Sequence, residues 1–143
     1  MNEQNLTEQS EQTSAREREA AMIQSLAKHG ATVEADPMPV AGAYIVEFRQ
    51  EGAVITIRIA LRDSGGADLT ITNMTTLPEN KKRQGLGSWA LGQLLDWAHE
   101  NHLYNVRAVQ IQSYNEKFWQ RNGFSKDPNP NPSNDFIYKS QIP

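Results

Sequence analysis

Apolar and polar positions alternate cleanly through the second quarter of the chain. From Ala43 to Arg49, Tyr44, Val46 and Phe48 fall on one side, and Ile45, Glu47 and Arg49 on the other. Gln50-Glu51-Gly52 reads as a tight turn. From Ala53 to Arg62, Ile55, Ile57, Ile59 and Leu61 alternate with Thr56, Arg58, Ala60 and Arg62. Asp63-Ser64-Gly65-Gly66-Ala67 is a second turn, and Asp68 to Thr76 a third strand. Turns this short predict an antiparallel meander. The period then changes. Leu91, Leu94, Leu95 and Ala98 fall at i, i+3, i+4 and i+7, which predicts a helix from about Leu86 to Glu100. Residues 105–112 read as a strand, Asn115 to Arg121 as a short helix ended by Asn122-Gly123, and Phe136 to Lys139 as a closing strand. The prolines between Asp127 and Asn134 mark a loop.

Upstream of the meander the pattern is thinner. Residues 1–13 are rich in Glu, Gln, Asn and Thr, and read as a flexible polar tail. Ser14-Ala15-Arg16-Glu17 is a capping box that starts a helix. Ile23, Leu26 and Ala27 give it a narrow apolar stripe, and Lys28, His29 and Gly30 suit its end. Two prolines and a glycine make 35–42 a loop. The expected class is mixed α/β in one domain over 14–143, after the tail.

Composition narrows the chemistry. The 143 residues suffice for one core, and 38% are hydrophobic, ordinary for a globular chain. No apolar run approaches the roughly 20 residues that span a bilayer. Met1 to Asn5 lack the basic and apolar parts of a signal peptide, so a cytoplasmic location is expected. The chain has no cysteine, which excludes disulfides, a thiol nucleophile and Cys-held metals. His99 and His102 lack a third partner at metal-ligand spacing, so no metal is expected; both suit a helix C-terminus. The net charge of -3 offers no global field for nucleic acid. Trp89, Trp97 and Trp119 then read as packing residues rather than base-stacking platforms.

Any anion site must be local, and one stretch fits. Lys82-Arg83-Gln84-Gly85-Leu86-Gly87-Ser88 joins a strand to a helix start. The first amides of a helix have no intrahelical acceptor, and the dipole makes that end positive. Gly85 and Gly87 let a phosphate approach those amides, and Lys81, Lys82 and Arg83 add cations. No Gly-Lys-Ser/Thr follows, and the three-glycine dinucleotide fingerprint is incomplete. On spacing alone the stretch reads equally as a pyrophosphate cradle or as a glycine turn with solvated lysines.

A second motif decides between them. After the predicted helix and strand comes Phe118-Trp119-Gln120-Arg121-Asn122-Gly123-Phe124. Together with Lys82 to Gly87, in this order, it resembles the core of the GNAT superfamily of N-acetyltransferases, over roughly residues 43–140. The resemblance implies a mostly antiparallel twisted sheet whose central strands splay at a bulge, with flanking helices. It implies acetyl-CoA as co-substrate, its pantetheine along Met74, Thr75, Thr76 and Leu77 and its diphosphate at Arg83 to Ser88. A strand N–H from Thr76 or Leu77 would face the acyl oxygen.

The chain departs from the family pattern at four places. Lys82 stands where Gln or Arg is usual, keeping charge but losing the planar fork. The usual Asn position falls on Gln112, with Asn115 three residues on; either can meet the pantetheine arm. The tyrosine that often protonates the departing sulfur falls on Trp119, whose indole is no acid. The region that walls the acceptor site is short, which points to a homodimer. Glu47 is the candidate base, and Tyr114 and Tyr138 are candidate acids. The expected activity is acetyl transfer to a primary amine of unidentified kind. The alternative is a non-catalytic acyl-CoA-binding or protein-interaction module on the same fold.

Overall fold

A computed structural model describes residues 17–37, 42–61, 66–82, 84–129 and 133–139. The polar tail, Ser14 to Arg16 of the capping box and Arg83 of the basic turn lie outside the described residues. Helix α1 covers residues 17–24 and tightens into a 3-10 turn, Ser25–His29. It ends where the sequence places its cap: Gly30 has φ 85°, and its N–H donates to Ala27 O. Seven strands follow in the order β1 (Ala31–Ala35), β2 (Ala43–Gln50), β3 (Ala53–Leu61), β4 (Leu69–Leu77), β5 (Asn105–Ala108), β6 (Ser125–Lys126) and β7 (Phe136–Lys139). Helix α2 (Leu86–Glu100) lies between β4 and β5, and α3 (Glu116–Arg121) between β5 and β6.

The sheet runs β1-β2-β3-β4-β5-β7-β6 and is antiparallel except for β4 beside β5. The meander is therefore as predicted, but β1 is an addition. Residues 31–34 carry little apolar signal, and Ala and Glu are weak strand formers. Their place comes from pairing, Ala31 opposite Phe48 through Ala35 opposite Tyr44. The two-residue β6 is likewise held only by β7. The fifth strand is shorter than expected, because the chain turns at Gln110, where φ is 56°.

Registers assign the faces. Val46, Ile57, Ile59, Ile71, Ala108 and Phe136 share one side, and all are buried. The apolar stripe of α2 (Ala90, Leu91, Leu94, Trp97 and Ala98) closes on it. Trp97 fastens α1 to α2 by donating from Nε1 to Met22 O at 3.0 Å and to Ser25 Oγ at 2.9 Å. The other side carries the row Thr32, Glu47, Thr56 and Thr75, all exposed or half-buried. Among the described residues no helix is long and apolar enough to cross a membrane.

Candidate functional site

β4 changes partners along its length. Leu69 to Ile71 pair with Val106 to Ala108 of β5, and Val109 N donates to Ile71 O at 3.1 Å. Beyond that the β3–β4 register slips, since Arg58 faces Asn73 while Ile59 faces Ile71. Thr72 is the extra residue, a bulge that bends the strand. From Asn73 to Leu77, β4 keeps β3, and among the described residues no strand pairs with its other edge. The two central strands thus splay apart, with Met74 to Leu77 on one wall of the gap and the turn 109–115 on the other.

Ladder alternation shows which backbone groups face this gap. Leu61 N donates to Gly42 O, so Ile59, Ile57 and Ile55 direct their polar groups to β2. Val54, Thr56 and Arg58 are left for β4, where they meet Leu77, Thr75 and Asn73. The N–H and C=O groups of Met74 and Thr76 therefore point into the gap. A buried or ligand-covered backbone group needs a partner.

The start of α2 adjoins this edge. Gly85 is its N-cap with φ 81°, a conformation that favours glycine, and no side chain caps it. Trp89 N closes the first turn on Gly85 O at 3.0 Å, which leaves the amides of Leu86, Gly87 and Ser88 without an intrahelical acceptor. Among the described residues nothing lies within 4 Å of a Cβ built on Gly85. At Gly87 a Cβ would sit 3.4 Å from Met74 Cε and 3.5 Å from Phe118 Cε2. Glycine there lets the helix start wedge between β4 and α3. Asn122, at the C-cap of α3, donates to Ser88 Oγ at 3.1 Å and to Phe118 O at 2.8 Å, and so fixes the same corner.

The basic turn is partly occupied by its own contacts. Lys82 Nζ lies 3.0 Å from Glu79 Oε1, and Gln84 Nε2 donates to Asn80 O at 2.9 Å. Both side chains are exposed. On the far wall Gln112 and Asn115 are also exposed, three residues apart, with Asn115 N donating to Gln112 O. Asn134 braces that wall. Its backbone O accepts from Ile111 N, and its Nδ2 donates to Ile111 O at 2.7 Å and to Glu116 Oε2 at 3.1 Å. Leu77 and Tyr114, one on each wall, are the exposed large hydrophobic side chains of the described residues.

The other candidates lie apart. Trp119 is only 6% exposed, its ring 5.2 Å from Phe118 and 5.0 Å from Phe124, so its indole is part of the core. Tyr138 packs on Phe124 and opposes Val106, beside the closed part of the ladder. Glu47 stands two strands from Thr75, about 10 Å, on the open face, and accepts from Arg49 Nε at 2.8 Å. His102 pairs with the Tyr104 hydroxyl at 2.7 Å.

A charged cluster holds the loop after β6 to β5. Arg107 Nη1 reaches Asp127 Oδ2 at 2.8 Å and Asp135 Oδ2 at 3.2 Å. The bond from Arg107, then that from Asn129 N–H, holds the Asp127 carboxyl below its ordinary range. A depressed carboxyl stabilises the fold fully above its unfolded pKa of about 3.9 and loses that as pH falls through the folded value. Arg107→Gln is therefore expected to flatten the acid side of a melting-temperature profile below about pH 4. An unchanged acid slope in that variant would remove the cluster from the account.

No protein-family model matches the sequence, and no curated protein matches it. Solved structures do match in shape. Tetrahymena GCN5 superposes with a TM-score of 0.58 at 9% identity, over 70% of this chain and 69% of that one. The PaiA N-acetyltransferase from Thermoplasma acidophilum, in complex with coenzyme A, gives 0.55 at 12% identity, over 67% of this chain and 60% of that one. A GNAT family acetyltransferase from Elizabethkingia anophelis, with acetyl-CoA bound, gives 0.55 at 12%, over 78% and 99%. The chain shares its overall fold with these structures, one of them a GNAT family acetyltransferase.

Proposed function

We propose that the chain is an acyl-CoA-dependent N-acyltransferase that moves an acetyl group from acetyl-CoA to a primary amine. The observation that carries this reading is the gap itself: an unpaired β4 edge beside an uncapped helix start. Acetyl-CoA is an extended molecule with amides along its arm and a diphosphate behind them. Met74 and Thr76 offer the arm a strand edge, and the amides of Leu86 to Ser88 offer the diphosphate a positive helix end. Lys81, Lys82 and Arg83 add charge, and Gln112 or Asn115 meets the arm from the far wall. Two solved structures of this fold carry coenzyme A or acetyl-CoA, which supports the choice of ligand.

The chemistry then needs little from the protein. The amine lone pair attacks the thioester carbonyl carbon, and its oxygen takes up negative charge. The N–H of Thr76, turned into the gap, is the donor for that oxyanion; Leu77 is engaged with Val54. The C–S bond breaks, the sulfur leaves as thiolate, and the nitrogen gives its proton to water.

Calorimetric titration with CoA, followed by assay of CoA thiol release from acetyl-CoA with a panel of amines, tests the proposal. Replacing Lys81, Lys82 and Arg83 together by Ala is expected to weaken CoA binding, most at low ionic strength where screening is least. Wild-type affinity in that variant at every salt concentration would reduce the turn to a solvated loop. Binding without transfer to any amine would favour the second reading, a non-catalytic acyl-CoA-binding module. The buried Trp119 at the usual acid position is the observation that keeps that reading alive.

A further inference from the structure

The far wall of the gap is held from behind. The contact between β4 and β5 ends at the bond from Val109 N to Ile71 O. At Gln110 a φ of 56°, uncommon outside glycine, swings the chain off β4. The backbone groups released there find partners on the segment before β7. Gln110 N donates to Asp135 Oδ1 at 3.2 Å, and Ile111 N to Asn134 O at 3.0 Å. Asn134 Nδ2 donates to Ile111 O at 2.7 Å and to Glu116 Oε2 at 3.1 Å. These two acceptors bracket Gln112 and Asn115 in the sequence, so one amide group spans the stretch that carries both. Asp135 is the fixed end of the brace. It is buried, and Arg107 and Ser133 also donate to its carboxylate.

Position 134 is unfavourable to the fold in two ways. Its φ of 54° lies in the left-handed region, which Asn tolerates and Gly adopts freely. Its Oδ1 is buried, and among the described residues it has no hydrogen-bond partner. A buried acceptor without a donor destabilises. Glycine at this position would remove both defects. What glycine would lose is Nδ2, the donor to the two acceptors on the far wall.

We propose that Asn134 is a positioning residue for acyl-CoA, acting through the wall from Gln110 to Glu116. Its amide, with the Asp135 carboxylate behind it, holds that wall where Gln112 or Asn115 meets the pantetheine arm. The proposal rests on the function proposed above. The arm then lies between the β4 edge, fixed by β3, and a wall placed by the segment before β7. A wall held in advance has less freedom to lose when the arm binds. The diphosphate is a separate matter. It meets the start of α2, whereas the side-chain bonds of Asn134 go to Ile111 and Glu116. Loss of Nδ2 is therefore felt by the arm and not by the nucleotide.

Calorimetric titration with two ligands tests this. One is CoA; the other is adenosine 3′-phosphate 5′-diphosphate, which keeps the diphosphate and lacks the arm. Asn134→Gly is expected to weaken CoA about fivefold to tenfold and to leave the nucleotide within about twofold. Its melting temperature is expected to stay within about 5 °C of wild type, since two bonds are lost and two defects removed. Asn134→Asp keeps the shape but turns an acceptor toward Ile111 O and Glu116, and should weaken CoA further. Adding Glu116→Gln returns a donor to one of those contacts and should recover part of the loss. Equal losses for the two ligands overturn the proposal, as does a CoA affinity that Asn134→Gly leaves unchanged. Neither result touches the reading of the function. A wild type that binds neither ligand overturns that reading, and this proposal with it. Should Asn134→Gly fail to fold, Asn134→Asp and its recovery by Glu116→Gln decide.

Discussion

Replacing Gly85 by Glu is expected to abolish CoA binding while the protein stays folded. The position combines two facts. Its φ of 81° is costly for any side chain, about 1–2 kcal/mol, yet among the described residues nothing lies within 4 Å of a Cβ there. The new side chain therefore meets no clash with the described residues and extends toward the start of α2. Its carboxylate lies beside the amides of Leu86, Gly87 and Ser88, which have no intrahelical acceptor. A carboxylate at a helix start is favourable, so part of the backbone strain is returned as a cap. The same contact fills the diphosphate position with negative charge. Gly85→Ala separates the two effects, since it carries the strain without the charge. In a thermal-shift titration, Gly85→Ala should keep most of its stabilisation by CoA. Gly85→Glu should show none, a loss of at least about a hundredfold in affinity, or about 2.7 kcal/mol. A full CoA shift in Gly85→Glu would move the diphosphate away from α2.

Much of this architecture is legible in the sequence because it repeats at short range. Ile55, Ile57, Ile59 and Leu61 announce β3 by alternation alone, and Leu91, Leu94 and Ala98 announce the buried face of α2. Helix α2 has the bounds its pattern gives, because Gly85 and the turn at Asn101 punctuate it. β1 escapes notice because its evidence is non-local: five small or polar residues become a strand by pairing with Val46 and its neighbours. The splay of the central strands is written nowhere in Thr72. The family resemblance implies a splay, but its place, where the register of β3 and β4 slips, comes only with assembly. The bracing residues are equally silent. Asn134 sits among several asparagines and prolines, and nothing local separates it from Asn129. Its φ of 54° and its bonds to Ile111 and Glu116 mark it only after folding. The indole of Trp119 illustrates the converse, since its site in the motif is plain while its packing against Phe118 and Phe124 is not.

That packing leads to the expected behaviour of the reaction with pH. A lysine-like amine with pKa about 10.4 spends about 4.6 kcal/mol to lose its proton at pH 7. A carboxylate close to the nitrogen would hide this cost and flatten the rate profile. Glu47 stands about two strand spacings from the β4 edge, and Arg49 already holds it. The rate at low amine concentration and saturating acetyl-CoA is therefore expected to rise about tenfold per pH unit, near a hundredfold from pH 7 to pH 9. The leaving group demands less, because a thiol of pKa about 8.5 departs as thiolate with only a modest penalty. Trp119→Phe should then keep the same slope and turn over within a few-fold of wild type. Its effect falls on stability, about 1–2 kcal/mol for the volume removed. Tyr114→Phe and Tyr138→Phe should also keep the slope. A loss confined to Tyr114→Phe would make that exposed phenol the acid, since Tyr114 stands on the gap wall and Tyr138 against Phe124. A flat profile between pH 7 and 9 would overturn unassisted attack. In that case Glu47→Gln should restore the slope, because removing the base returns the full cost of the amine proton to the reaction.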